Sequence, residues 1–261
     1  MPSQKRQRQR ENSQARAAAA AAARRRRDLR TRGIAGAIVL AIIVALVALL
    51  ASNNSGKSKK VSTTATTLAA AAAPVCPKVD GSSPKTQKFS AAPGNCLDAG
   101  KSYVANMVTD VGTITIALDQ TKAPLTVNNF VFLARYHYFD GTVFHRVIPD
   151  FVDQGGDPTG TGTGDPGYKF KDELPQPGDY KAGSLAMANS GPDTNGSQFF
   201  IVVSANGAKT LTQAVGGKAS YTLFGQITAG MDIALKINAD GSQAGTPTVQ
   251  HHIQTVTITE T

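Results

Sequence analysis

Past Arg135 the chain holds a single arginine, Arg146, set in the run Phe144-His145-Arg146-Val147-Ile148-Pro149. Close behind come Phe151, Val152 and Gln154, followed by Gly155-Gly156-Asp157. Farther on lie Met187-Ala188-Asn189, then Thr194-Asn195-Gly196-Ser197-Gln198-Phe199-Phe200-Ile201, and finally Tyr221 and Phe224. The set comprises one permanent cation with a planar fork of donors, two side-chain amides and several apolar or aromatic groups. Such groups can grip an apolar ring, fix a peptide backbone and set positive charge against a distorted polar bond. Covalent chemistry has no support: no serine stands in G-x-S-x-G, no G-x-x-x-x-G-K-[ST] run occurs, and no nucleophile-plus-base pair can be named. Metal chemistry has none either. His137, His145, His251 and His252 lack ligand spacing, and His251-His252 would alternate across a strand. The stretch Gly155–Gly167 has the composition of a phosphate cradle or calcium loop but fits neither motif, and reads as a mobile surface loop.

In order and spacing these blocks resemble the cyclophilin family of peptidyl-prolyl isomerases, over about Tyr103 to Thr259. The resemblance implies catalysis of X–Pro rotation without cofactor or metal, on proline-containing unfolded or flexible polypeptides. Elementary chemistry agrees, since a barrier of ~18–20 kcal/mol set by amide resonance can be lowered without forming any bond. By this resemblance Arg146, Phe151, Gln154 and Phe200 are catalytic, with Arg146 bonding near the prolyl nitrogen and carbonyl. Phe151, Val152 and Phe200 line a proline pocket, Gln154 and Gln198 hold substrate backbone, and Ala188 and Asn189 offer an edge for pairing. Tyr221 falls where many members have histidine. Val152 stands where methionine is common, and the absent tryptophan leaves a wall to be filled by Leu211 or Val215. Asp150 and Asp153 put two carboxylates near Arg146 that could offset its charge. The rival reading is a module that binds proline segments without turning them over.

The elements that must position these residues are short. Tyr103–Thr109 and Thr113–Leu118 read as a hairpin across Asp110-Val111-Gly112. Pro124 opens a helix to about Tyr136, with Val127, Phe130, Val131 and Ala134 as one apolar stripe. Strands follow over Thr142–Ile148, Phe151–Gln154, Ser184–Ala188, Gln198–Ser204, Thr222–Ile227 and Ile253–Thr259, with a second short helix from Gly230 to Ile237. The expectation is a mainly β fold, a closed eight-stranded antiparallel barrel capped by two helices. Alternation turns Phe144, Phe199 and Ile201 away from the groove.

The remainder of the chain is of another texture. Its formal charge of +9 resides in residues 1–32, a Gln/Arg/Ala tail that reads as disordered or partly helical; the other residues balance. Ile34 to Ala51 is apolar throughout, ~27 Å long as a helix, so 33–51 reads as a transmembrane signal anchor. The arginines before it place the tail in the cytoplasm and the isomerase domain outside, in the manner of a bacterial cell-surface protein. No nucleic acid is expected as a partner, and the chain reads as a monomer. Residues 52–75 read as a flexible stalk, 76–101 as a lead-in segment bounded by Cys76 and Cys96, and 102–261 as the isomerase domain. A Cys76–Cys96 disulfide is expected, contributing ~3 kcal/mol by loop entropy.

Overall fold

Alternating burial along two seven-residue strands, β1 (Tyr103–Thr109) and β2 (Gly112–Leu118), sets the first hairpin. Thr109 pairs with Gly112 across the turn, and Thr109 Oγ1 donates to the Gly112 carbonyl at 2.6 Å. Gly112 has φ +140°, and a Cβ there would collide with Ile233, so the turn needs glycine on both counts. The computed structural model describes residues 72–214 and 219–261. The tail, the 33–51 segment, most of the stalk and Val215 lie outside the described residues.

Helix α1 (Pro124–Arg135) begins with proline at its first turn, as expected, and ends at Tyr136. Its burial is not a stripe. Every residue from Thr126 to Arg135 is buried, because the lead-in segment covers the face the barrel leaves open. Phe89 packs on Phe132 at 4.8 Å between ring centroids, and Asn128 exchanges hydrogen bonds with Cys96 N and the Gly94 carbonyl. No side chain of Ala123 caps the helix. Glu173 does so from a distant loop, accepting from Leu125 N, Thr126 N and Thr126 Oγ1 at 2.8–3.0 Å.

After α1 come β3 (Arg146–Ile148), β4 (Val152–Gly155), β5 (Ser184–Met187), β6 (Phe199–Val202), α2 (Ala205–Ala214), β7 (Leu223–Ala229), α3 (Met231–Ala239) and β8 (Ile253–Glu260). The strands form one antiparallel sheet in the order β3-β4-β6-β5-β7-β2-β1-β8. The sheet curls but does not close, which corrects the expected closed barrel. β3 and β8 are edges, and the seam between them is crossed by Gly141–Phe144, whose backbone bonds Ile253 and His251 with a single isolated bridge from Val143 to His252. The outer edge of β3 is taken up instead by residues 242–245, with Val147 N donating to the Gly245 carbonyl and Ser242 N to the Val147 carbonyl.

Three helices, not two, accompany the sheet among the described residues. The unforeseen one, α2, follows Ser204, whose Oγ accepts from Gly207 N at 2.8 Å. That is an N-cap arrangement, a start signal present in the sequence. The main core holds Phe130, Phe139, Phe199 and Phe224 with the inward side chains of most strands, and Phe144 and Ile201 lie in it as alternation requires.

Candidate active site

Four side chains line up across four strands. Arg146 on β3 stands opposite Gln154 on β4, Gln154 opposite Phe200 on β6, and Phe200 opposite Ala186 on β5. All four lie on the face turned away from the main core, because their neighbours Val147, Phe199, Ile201, Leu185 and Met187 are in it. Arg146 Nη1 donates to Gln154 Oε1 at 3.2 Å, and Gln154 Nε2 donates to Gln198 Oε1 at 3.0 Å. Gln198 Nε2 then donates to the carbonyls of Gly162 and Gly164, 3.0 Å each. Each amide thus fixes the orientation of the next group, ending on a loop.

That loop is not the mobile stretch its glycines suggested. It folds around Asp157, which is fully buried and accepts from Thr159 N, Thr159 Oγ1, Gly162 N and Gly164 N. Burial alone would raise the Asp157 carboxyl, but these donors hold it below the ordinary carboxylate range.

A second apolar cluster adjoins the row on the outer face. Val152, Phe200, Ala186, Val202, Tyr180, and Ala208 and Leu211 from α2 are its buried members, with Phe151, Ala188 and Tyr221 among those partly exposed around them. The Phe200 and Tyr221 rings meet edge to face at 5.3 Å, and Tyr180 Oη donates to the Tyr221 carbonyl at 2.6 Å. Of the two candidates for the missing wall, Leu211 stands in this cluster; Val215 is outside the described residues. Asn189 commits its side-chain amide to the Ser220 carbonyl at 2.8 Å, and Ala188 N donates to the Gln198 carbonyl at 2.9 Å.

The hairpin carrying Arg146 and Phe151 is clamped from behind. Asn238 of α3 donates to the Ile148 carbonyl and to Asp153 Oδ1, and accepts from Asp150 N. Asp150 holds φ +58° there. The expectation that Asp150 and Asp153 offset Arg146 is corrected. Asp150 turns to Asn206, whose amide donates to Oδ2 at 2.8 Å, and that bond lowers its carboxyl. Asp153 points inward, where burial raises its carboxyl to about 7. No ion pair among the described residues includes Arg146. Beside it, burial holds His145 below the ordinary histidine value, so the exposed guanidinium is the local positive charge.

A small pocket of about 100 Å³ opens on the other side of the glutamine pair, walled in part by Gln154, Gln198, Asn189, Asp165 and Lys169. Among the described residues no cluster of metal-ligating side chains occurs.

The family described as cyclophilin type peptidyl-prolyl cis-trans isomerase/CLD matches residues 104–260. The chain belongs to the cyclophilin-type peptidyl-prolyl cis-trans isomerases. Its cyclophilin domain is 48% identical over 128 residues to a peptidyl-prolyl cis-trans isomerase-like 1 of Gibberella zeae, covering 47% of this chain and 74% of that one. The human and mouse proteins of that name are each 47% identical over 133 residues, covering 49% of this chain and 75% of theirs. The fold is similar to the crystal structure of a Cryptosporidium parvum cyclophilin type isomerase, with TM-score 0.54, 30% identity, and coverage of 60% of this chain and 98% of that one.

These relatives also correct the expected placement as a bacterial single-pass membrane protein with the cyclophilin domain outside. They are eukaryotic proteins named peptidyl-prolyl cis-trans isomerase-like 1. Among the described residues no helix is long and apolar enough to cross a membrane. A run of 18 apolar residues licenses only a length, and the 33–51 segment lies outside the described residues.

Proposed function

We propose that the cyclophilin domain rotates X–Pro bonds with Arg146 as the group that stabilises the twisted amide. As the amide leaves planarity its nitrogen loses conjugation and gains a lone pair able to accept a hydrogen bond, and the guanidinium donates to it. The proline ring rests on the cluster of Phe151, Val152, Phe200 and Leu211, with Tyr221 beside Phe200. Gln154 steers the guanidinium, Gln198 positions flanking backbone, and Ala188 and Asn189 offer main-chain groups to an extended peptide. Proline-containing flexible polypeptides are the substrates on this reading. In support, the Cryptosporidium parvum isomerase, 31% identical with TM-score 0.53, has also been crystallised in the presence of the dipeptide Ala-Pro.

The observation that carries the reading is the row Arg146–Gln154–Phe200, where a guanidinium without a carboxylate partner among the described residues adjoins an apolar cluster. A protease-coupled assay on an Ala-Pro peptide tests it. Arg146→Ala is expected to lower kcat/KM about 100-fold, the scale of losing one transition-state donor, with the fold intact. Activity within a few-fold of wild type would remove Arg146 from the mechanism. Peptide affinity without acceleration in the wild type would favour the binding module.

A further inference from the structure

Residues 76–101 precede the span the family matches, yet they are built into the domain. Their ends are joined by the Cys76–Cys96 disulfide. Between them Thr86 N donates to the Tyr136 carbonyl, Gln87 Nε2 to the Tyr138 carbonyl, and Phe89 N to the Pro166 carbonyl, at 2.8–2.9 Å. The Phe89 ring packs on Phe132, Tyr136 and Tyr168. Gly167, at φ +103°, leaves room for the Phe89 carbonyl, which any Cβ at that position would strike. The side chain before it, Lys88, places Nζ 3.0 Å from Asp165 Oδ1, and this bond heads the causes that lower the Asp165 carboxyl.

Asp165, Pro166 and Lys169 are where this segment meets the groove. Asp165 and Lys169 wall the small pocket beside Gln154 and Gln198. Pro166 and Lys169 abut Gly196, where an added Cβ would lie 3.2 Å from Pro166 Cδ and 3.5 Å from Lys169 Nζ. Lys169 Nζ stands 3.6 Å from Asp165 Oδ2, so one carboxylate holds a lysine on each side. An exposed pair of this kind is weak alone. Here the backbone bond and the buried face of Phe89 supply the rigidity.

We infer that the disulfide-closed segment is a strap that positions the Asp165–Lys169 wall, with Lys88 and Phe89 as positioning residues that set selectivity for the peptide residue on one side of the Ala-Pro pair. This rests on the proposed assignment of the groove as the peptide site. Released from Phe89 and Lys88, the wall would lose its seat on Gly196 and the pocket its shape. The proline socket, on the other side of the glutamine pair, would be unaffected.

The test uses the full chain and a peptide series varied at the residue before Ala-Pro and at the residue after it, from glycine to long side chains. Lys88→Ala and Phe89→Ala are expected to raise KM at least about threefold for peptides with a long side chain at the position that reaches the pocket, with kcat within about twofold and KM for the glycine peptides unchanged. The double change Cys76→Ser, Cys96→Ser should act in the same direction, and Lys88→Arg should restore the wild-type pattern. Phe89→Leu replaces Phe89→Ala if thermal melts show the alanine variant unfolded. An equal rise for all peptides, or none, with wild type active overturns the strap alone. No turnover by wild type of any peptide overturns the active-site reading and the strap with it.

Discussion

Arg146 and Gln154 face each other directly across β3 and β4, and the guanidinium donates to the amide oxygen at 3.2 Å. The contact leaves the other donors of the fork unclaimed by any carboxylate among the described residues. An arginine followed closely by two aspartates in sequence is thus kept available by strand geometry. Asp150 is held at the turn by Asn206, and Asp153 is sent to the opposite face of β4.

If Gln154 steers Arg146, Gln154→Leu should lower kcat by about tenfold while leaving peptide affinity nearly unchanged, since a positioning contact is lost and no apolar one. Single-turnover and steady-state isomerase kinetics separate the two. A fall in affinity with constant kcat would place Gln154 in binding instead.

Asp153 is fully buried, with Asn238 donating to one oxygen and the other without a partner. Its carboxyl titrates at about 7 in the folded chain and at ~3.9 unfolded. Between those values the folded state holds more protons, so stability is greatest at the acid end and declines as pH rises to about 7. Asp153→Asn should flatten this part of the Tm-against-pH curve. An unaltered curve would mean that the carboxyl is already ionised at lower pH.

His251 sits between Asp110 and Asp240, each carboxylate 2.9 Å from one ring nitrogen. Burial opposes protonation, but the two acceptors outweigh it and raise the histidine above its usual value. The resulting stabilisation is present below ~6.5 and is lost as pH rises through the higher folded value. His251→Gln should therefore be less stable than wild type at pH ~6, and the gap should narrow at higher pH. Urea unfolding at two pH values reads this directly.

Glu173 caps α1 from 47 residues away with three hydrogen bonds at the positive end of the helix. Glu173→Gln should cost ~1 kcal/mol or more, because the amide keeps one accepting oxygen, sets a non-accepting NH2 against the other N–H, and gives up the charge interaction. Denaturant midpoints at low and high salt would show it, the difference shrinking with salt.

Much of the site was legible along the chain because its parts are local. Alternation turned Phe144, Phe199 and Ile201 away from the groove, and all three lie in the core. The hairpin at Asp110–Gly112, the proline start of α1 and the pairing of Cys76 with Cys96 also appear where spacing placed them. Helix α2 was missed despite Ser204, since an N-cap residue is a weak signal when the apolar side behind it is as short as Ala208 and Leu211.

What the sequence by itself determined was which residue types stand at the candidate site and that Phe144, Phe199 and Ile201 turn inward, because residue type and a period of two are properties of the local chain. Only the tertiary structure decided that the sheet stays open, that Leu211 joins the outer-face apolar cluster, that Glu173 caps α1, and that residues 76–101 pack against α1 and Pro166. Each of these depends on contacts between segments far apart in the chain, such as Phe89 with Pro166 or Glu173 with Thr126. Such contacts are selected by packing and hydrogen-bond satisfaction of the whole molecule, and no local pattern encodes them.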